Sequence, residues 1–213
     1  MVISYHGAEF FKISLGDVVI ALNPISRESK LKTSRFGADL CFVSLDHPDC
    51  NGADLVTLGE KRPIIISGPG EYEAKGVWAR GFPSESSYGG EKRINTIYLI
   101  NLDNIHLCFL GALKSPVLPR EVEEAIERVD VLFVPIGSEG VLGPADAEKI
   151  SVGLEPRIII PMHYGEIGVL NALRQFLKEG GAEGEKPIDK LTLKRRDLEG
   201  RDGGDIVVLA HNT

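Results

Sequence analysis

The sequence of 213 residues has few cysteines, no long apolar run and no excess of basic residues. Three cysteines, an odd number, argue against a disulfide framework and favour a reducing compartment. No run approaches the roughly 18 apolar residues that a membrane span needs. The first six residues lack a basic stretch followed by an apolar core, so no targeting segment is predicted. We therefore expect a cytoplasmic protein that does not enter a membrane.

The charge balance is acidic, with 24 lysines and arginines against 31 aspartates and glutamates and a net charge of −7. A field of this sign opposes non-specific binding to nucleic acids and to anionic membranes. The basic stretches, Lys30–Arg35 and Lys194–Arg196, lack the interleaved aromatic residues that stack on single-stranded bases. The expected partner is therefore a small-molecule ligand or substrate and not a nucleic acid.

Two common catalytic motifs are also missing. The turn Ser67-Gly68-Pro69-Gly70 is not the Gly-x-Ser-x-Gly arrangement of a nucleophile elbow. The glycine-rich turns are not followed by the Gly-Lys-Ser/Thr sequence of a phosphate-binding loop. Neither serine-hydrolase nor nucleotide-binding chemistry is supported.

The sequence does contain 24 glycines and 12 prolines without a fixed period, which indicates many turns between short elements. Its first half predicts strands at Glu9–Ser14, Val18–Leu22, Leu40–Leu45, Pro63–Ser67, Ala74–Gly81, Asn95–Asn101 and Ile105–Leu110. Its second half alternates helices and strands and predicts a helix after Pro119, a strand at Val131–Pro135, a helix at Pro144–Leu154, a strand at Arg157–Pro161, a helix with an apolar face over Val169–Leu177, and a terminal hairpin of Leu191–Leu193 with Ile206–Leu209. We predict one mixed α/β domain over residues 1–213, with two sheets and covering helices.

Metal-ligand residue types follow two of the predicted buried strands. His47, Asp49 and Cys50 lie within four residues after Leu40–Leu45, and His163 follows Arg157–Pro161. Histidine, carboxylate and thiolate are the side chains that bind zinc, and loops at strand ends are where such folds place their sites. The loop with His47 and Asp49 could equally be an ordinary turn without a metal, because Asp and Pro favour turns with capping side chains.

In the order and spacing of these segments, the sequence resembles the metallo-β-lactamase-fold superfamily. Within it, the sequence is most similar to the lactonase-like branch of metal-dependent hydrolases. The resemblance covers nearly the whole chain, and it rests on the following segments: the hairpin ending in Asn23-Pro24, the strand and loop Val43–Gly52, the turn Gly70-Glu71-Tyr72, the segment Leu110–Leu113 and the segment Ile160–Gly165. It implies a four-layer αββα sandwich with the site at one edge, between the sheets.

Several metal-ligand positions of that family are changed in this chain. The family motif is His-x-His-x-Asp-His, and the corresponding window here reads Leu45-Asp46-His47-Pro48-Asp49-Cys50. The mid-chain histidine should fall near Ser84–Ser87, where there is none, and Ala112 replaces the bridging aspartate. The final histidine matches His163. A site with two metal ions that share a bridging hydroxide is therefore not expected.

Two hypotheses follow from the resemblance. In the first, the metal site is degenerate and the protein is a catalytically impaired or non-catalytic binding relative that needs no metal. In the second, one zinc or other divalent ion is held by Asp49 and His163 with His47 or Cys50, and Asp49 orients or deprotonates the water that attacks an ester, lactone or phosphodiester. The side chains expected to line the cleft in either case are Asp46, Glu71, Tyr72 and Tyr164. The first hypothesis also predicts an apolar cleft near Leu45 and Ala112.

Overall fold

The computed structural model describes residues 1–201 and 203–212. The strands, numbered along the chain, are β1 (Val2–Tyr5), β2 (Phe11–Leu15), β3 (Val18–Leu22), β4 (Leu40–Val43), β5 (Ile64–Ser67), β6 (Gly70–Ala74), β7 (Val77–Ser86), β8 (Arg93–Leu102), β9 (Ile105–Phe109), β10 (Val131–Pro135), β11 (Ile158–Met162), β12 (Leu191–Thr192) and β13 (Asp205–Ile206). The α-helices are α1 (Arg120–Ala125), α2 (Pro144–Leu154), α3 (Ala172–Glu179) and α4 (Arg195–Leu198). Two short 3-10 helices span Ala53–Val56 and Tyr88–Gly90.

The strands form two mixed sheets. The first sheet has six strands in the order β12-β1-β2-β3-β4-β5, and the second has seven in the order β13-β11-β10-β9-β8-β7-β6. Strands β3, β4 and β5 pair in parallel in the first sheet, and β9, β10, β11 and β13 do so in the second. This arrangement confirms the predicted sandwich of two sheets. The parallel strands place their carboxyl ends, and the loops that follow them, at one edge.

Continuous apolar runs form the central parallel strands. Every residue of β4, β10 and β11 is buried, as expected for strands that are covered on both faces. Alternating burial in β2, by contrast, is typical of a strand with one face towards the core. The hydrophobic pattern therefore decides which strands lie at the centre of each sheet.

Three apolar layers hold the sandwich together. Between the sheets, Phe42 and Tyr98 meet edge to face with ring centroids 5.1 Å apart, and Phe109 meets Phe133 at 5.9 Å. The helices cover the outer face of the second sheet, with side chains that include Val122, Ile150 and Phe176. The outer face of the first sheet is packed by loop residues and the first 3-10 helix, through Ile25, Phe36 and Val56.

The predicted terminal hairpin is wrong. Strand β12 pairs with β1 in the first sheet, whereas β13 pairs in parallel with β11 in the second. Both segments are two-residue edge strands, and such short apolar runs carry no information about which sheet they join. Strand β1 was not predicted, and the start of β6 was predicted as a turn because of Gly68, Pro69 and Gly70.

Among the described residues, the structure has no helix that is both long and apolar enough to cross a membrane.

Gly111, just after β9, lies in close contact with side chains from both sheets, Ser44 after β4 and Asn95 on β8. Its backbone has a φ of +56°. A Cβ at this position would lie 2.5 Å from Asn95 Oδ1 and would also overlap the hydroxyl of Ser44. Asn95 itself joins strand ends, since its Nδ2 donates to Leu110 O at 2.9 Å and its Oδ1 accepts from Ala112 N at 2.9 Å. The close contact between the two sheets therefore requires glycine at position 111.

We predict that Gly111→Ala lowers the free energy of unfolding by about 2–5 kcal/mol, from the left-handed backbone and the steric overlap together. Urea denaturation measures this loss. Gly16→Ala is the matched control, because Gly16 has the same φ of +56° and a Cβ there would meet open space, so only the backbone cost of about 1–2 kcal/mol applies. Equal losses in the two variants would contradict the close approach.

Candidate functional site

The loop after β4 forms one tight turn that carries the predicted metal ligands. His47 O accepts hydrogen bonds from Cys50 N at 2.8 Å and from Asn51 N at 3.1 Å. Within the turn, Asp49 N lies 3.2 Å from His47 Nδ1. Leu45, at the start of the loop, forms an isolated bridge with Asn95 of β8. The loop therefore sits where the two sheets meet, as the strand-end argument predicts.

Both carboxylate oxygens of Asp49 accept hydrogen bonds from hydroxyl groups. Ser29 donates to Oδ1, and the Tyr88 hydroxyl donates to Oδ2 at 2.5 Å. His47 Nδ1 lies 3.6 Å from Oδ2. Asp49 is buried, so these donors replace the water that a carboxylate loses on burial. Neither oxygen is left without a partner.

The thiol of Cys50 is buried beside a carboxylate. Its Sγ lies 4.0 Å from Glu9 Oε2. Burial raises the pKa of Cys50 well above its usual value, and the charges of Glu9 and Asp49 raise it further. The thiol is therefore neutral at pH 7, whereas zinc binds the thiolate.

The His47 ring packs against Tyr88, with centroids 4.6 Å apart. Burial lowers the pKa of His47, although the charge of Asp49 acts in the opposite direction. A Cβ on Gly89 would come within 2.9 Å of His47 Nε2. The second 3-10 helix, which carries Tyr88 and Gly89, thus closes over this ring.

His163 follows β11 directly and reaches the same region from the second sheet. Its backbone is left-handed, with a φ of +61°, and its N–H donates to Ala8 O at 2.7 Å. Its side chain is 1% exposed. Nδ1 lies 2.7 Å from Glu9 Oε1, a geometry in which an Nδ1–H group donates to a carboxylate oxygen. Among the described residues, Nε2 has no hydrogen-bond partner.

A buried network around Glu9 was not predicted from the sequence. Glu9 Oε2 accepts from Asn23 Nδ2 at 2.7 Å, and Asn23 Oδ1 accepts from Ser44 N at 2.7 Å. Asn23 Nδ2 also lies 2.7 Å from Ser44 Oγ. Glu9 falls in the predicted strand Glu9–Ser14, and its only signal in the sequence is an acidic residue directly before the apolar pair Phe10-Phe11. For Tyr88 the only signal in the sequence is the Gly89-Gly90 pair that follows it.

The expected apolar cleft is present beside Leu45 but does not extend to Ala112. Leu45 borders the cleft beside the loop after β4, whose lining does not include Ala112. Both residues are buried and pack with Cys50 and Val141 in a small apolar cluster, against which Tyr88 rests. Ser86, near the expected mid-chain histidine, accepts a hydrogen bond from Tyr88 N at 3.1 Å. Around Ala112, side chains therefore fill the space that the predicted cleft would occupy.

The four predicted cleft-lining residues lie in different places. Asp46 is exposed, accepts from Asn51 Nδ2 at 2.9 Å and borders a cleft beside the loop. Glu71 forms an ion pair with Arg80 at 3.2 Å, and the Tyr72 hydroxyl donates to Gly68 O at 2.9 Å, both on β6. The Tyr164 hydroxyl donates to Leu209 O at 3.3 Å, so Tyr164 turns away from Asp49 although it follows His163. Of the four, Asp46 is the one that lies in the loop of residues 46–52 after β4, which we call the motif loop.

A metal ion does not fit this arrangement of side chains. Both Asp49 oxygens already accept a hydrogen bond from a hydroxyl group, the buried Cys50 thiol would have to lose its proton to bind a cation, and Leu45 and Ala112 carry no donor atom. Over residues 1–201 and 203–212, no group of three or more histidine, cysteine, aspartate or glutamate side chains is placed to hold a metal. Within this set, His163 Nε2 is buried and has no hydrogen-bond partner among the described residues.

Two curated relatives are similar over most of this chain. A UPF0173 metal-dependent hydrolase of Bacillus cereus is 24% identical over 201 residues, which cover 80% of this chain and 88% of the relative. A UPF0173 metal-dependent hydrolase of Lysinibacillus sphaericus is 25% identical over 194 residues, with 77% and 85% covered.

Solved structures agree with the observed topology. A Thermotoga maritima protein, named as a Zn-dependent hydrolase of the metallo-beta-lactamase superfamily, matches with a TM-score of 0.74 and 26% identity over 98% of this chain and 97% of its own. Igni18, a metallo hydrolase of Ignicoccus hospitalis, has the same fold, with a TM-score of 0.63, 19% identity and coverage of 91% and 99%. Residues 2–163 match the family described as Beta-lactamase superfamily domain. The chain therefore belongs to the beta-lactamase superfamily, and its fold is that of the metallo-β-lactamases.

Proposed function

We propose that this chain is a metal-independent relative of the metal-dependent hydrolases, which binds a small molecule without hydrolysing it. The observation that carries the proposal is the state of Asp49, whose two carboxylate oxygens are both occupied by the hydroxyl groups of Ser29 and Tyr88. Each carboxylate oxygen can accept a second hydrogen bond, but a water or a cation at Asp49 would have to share both oxygens with these two hydroxyl groups.

The neighbouring residues support the same conclusion. The positions of the first histidine and of the bridging aspartate hold Leu45 and Ala112, which are 1% and 0% exposed. Packing these apolar side chains stabilises the folded state through burial, with about 25 cal/mol for each Å² removed from water. We infer that this region now serves the stability of the sandwich.

We place the ligand site in the cleft beside the motif loop, which has a volume of about 590 Å³. Its floor and rim are largely apolar, with a few hydroxyl and amide groups: Val43, Ser44, Leu45, Asp46, Asn51, Ala53, Ile65, Ser67, Gly68, Pro69, Ile94 and Thr96. Asp46 is the charged residue of this lining. The cleft thus suits a neutral or cationic molecule with an apolar body.

The runner-up is a single-metal hydrolase that uses Asp49, His163 and either His47 or Cys50. One observation favours it: His163 Nε2 is buried without a partner among the described residues, while Nδ1 contacts the carboxylate of Glu9. Metal-binding histidines commonly donate their second N–H to a carboxylate in this way. Metal content decides between the two functions.

Protein purified without chelators is expected to contain well below one equivalent of zinc, manganese or iron, and its Tm should not change after treatment with EDTA. The physical reason is that Leu45 and Ala112 carry no donor atom and that Tyr88 lies against His47, Asp49 and His163, so these three side chains do not converge on one ion. Elemental analysis and thermal denaturation measure the two quantities. About one equivalent of metal, lost with a fall in Tm, would support the runner-up.

Thiol labelling gives a second test. All three cysteines, Cys41, Cys50 and Cys108, are buried, and burial raises the pKa of each. Native protein should therefore label slowly at pH 7, at the same rate with and without EDTA, and denatured protein should label at all three. If chelation accelerated labelling, and Cys50→Ser removed the acceleration, Cys50 would be a metal ligand.

Ligand binding in the cleft is tested by a thermal-shift screen of neutral and cationic compounds with apolar bodies. A ligand at 100 times its Kd adds about 2.7 kcal/mol to the folded state. Ile94→Arg, at a cleft residue that is 70% exposed, should abolish the shift. Val117→Arg is the control, since Val117 is 71% exposed and lies outside the cleft. Hits that persist in Ile94→Arg would move the site elsewhere.

A further inference from the structure

The side chain of Tyr88 lies among the residues that the sequence assigns to metal binding. Its hydroxyl is 2.5 Å from Asp49 Oδ2. Its ring meets the His163 ring edge to face, with centroids 4.5 Å apart and an interplanar angle of 82°. The His47 ring lies 4.6 Å away on another side. One phenol therefore contacts three of the four predicted ligands.

The backbone around Tyr88 fixes it in this place. Gly89 and Gly90 have φ values of +77° and +84°, which permit the tight turn that directs Tyr88 inward. Ser87 N donates to Gly140 O at 2.9 Å, and a Cβ on Gly140 would lie 2.5 Å from Ser87 C. The segment that carries Tyr88 is thus packed directly against a second loop, and the inward position is a built feature.

The Tyr88 hydroxyl also serves as a hydrogen-bond donor to the buried carboxylate of Asp49. A phenol is a neutral donor at pH 7, and a hydrogen bond to a carboxylate is among the stronger kinds. The hydroxyl therefore occupies one side of the Asp49 oxygen that would face a cation in this space.

A second observation concerns the nitrogen of His163 that has no hydrogen-bond partner among the described residues. His163 Nε2 is buried, faces no hydrogen-bond partner among the described residues, and belongs to a ring that Tyr88 covers. A buried polar atom without a partner costs about 1–3 kcal/mol. Packing by Tyr88 fills the space beside this nitrogen without satisfying it.

We propose that the Tyr88 side chain takes the place of a metal ion, and that its removal opens a site for a divalent cation such as Zn²⁺ or Co²⁺ between His47, Asp49 and His163. Truncation removes the phenol from between these residues, frees Asp49 Oδ2 and exposes Nε2 of His163 to the resulting space. Imidazole and carboxylate are suitable ligands for both cations. The inference rests on the proposed metal-independent function of the natural chain.

The experiment is a titration of Co²⁺ into metal-free wild type and Tyr88→Ala, followed by visible absorbance, with Zn²⁺ as competitor. Tyr88→Ala should bind about one equivalent, with a Kd at least about tenfold lower than that of wild type. His163→Ala in the Tyr88→Ala background should abolish the gain. Tyr164→Ala is the matched control, because Tyr164 is also partly buried and adjoins His163 but its hydroxyl contacts Leu209 O.

Tyr88→Phe separates the two roles of the side chain and serves if Tyr88→Ala does not fold. It keeps the ring and removes the hydroxyl, so it should lose stability relative to wild type and gain no metal. Co²⁺ binding by Tyr88→Phe would overturn the proposal that the ring itself excludes the ion. If a folded Tyr88→Ala bound no more Co²⁺ than wild type, this inference would fail alone. If wild type held one tight equivalent, the proposed function would fail with it.

Discussion

The hydrogen bonds of the fully buried Glu9 carboxylate are the interactions on which the edge of the sandwich that carries the candidate site depends. Glu9 lies in the turn between β1 and β2 of the first sheet, and its partners are Asn23 at the end of β3 and His163 at the end of β11 in the second sheet. An unpaired buried charge costs several kcal/mol, whereas one that is fully hydrogen-bonded is tolerated. The positions of three strand ends are therefore coupled, because moving any one of them would leave the charge without a partner.

The same logic extends outward from Glu9 to the motif loop. Asp49 is the second buried carboxylate, and each of its oxygens accepts a hydrogen bond from a hydroxyl group. Leu45 and Ala112 pack with Cys50 beside it, and Tyr88 rests against this cluster. Hydrogen bonds and close packing thus hold the two sheets together at this edge, and on this we base the proposal of a metal-independent function.

Much of the fold was predictable because its elements carry strong local patterns. Strand Val131–Pro135 and helix Pro144–Leu154 were predicted with the observed bounds; the strand is a fully buried apolar run, and the helix has a proline in its first turn. Between β8 and β9, Asp103 and Asn104 both have the positive φ that a tight hairpin needs. The terminal strands failed because two-residue strands obtain their structure from the neighbour they pair with, and no local pattern names that neighbour.

At the candidate site, residue types alone show that Leu45 and Ala112 offer no donor atom, whatever their surroundings. The sequence also places His47, Asp49 and His163 after strands whose ends meet. Which side chains surround these residues is set by the tertiary structure, since Glu9 and Tyr88 lie 154 and 75 residues from His163 along the chain. The physical reason is that hydrogen bonding and packing depend on distance in space, and a residue's type fixes what it can donate or accept but not which atom it will meet.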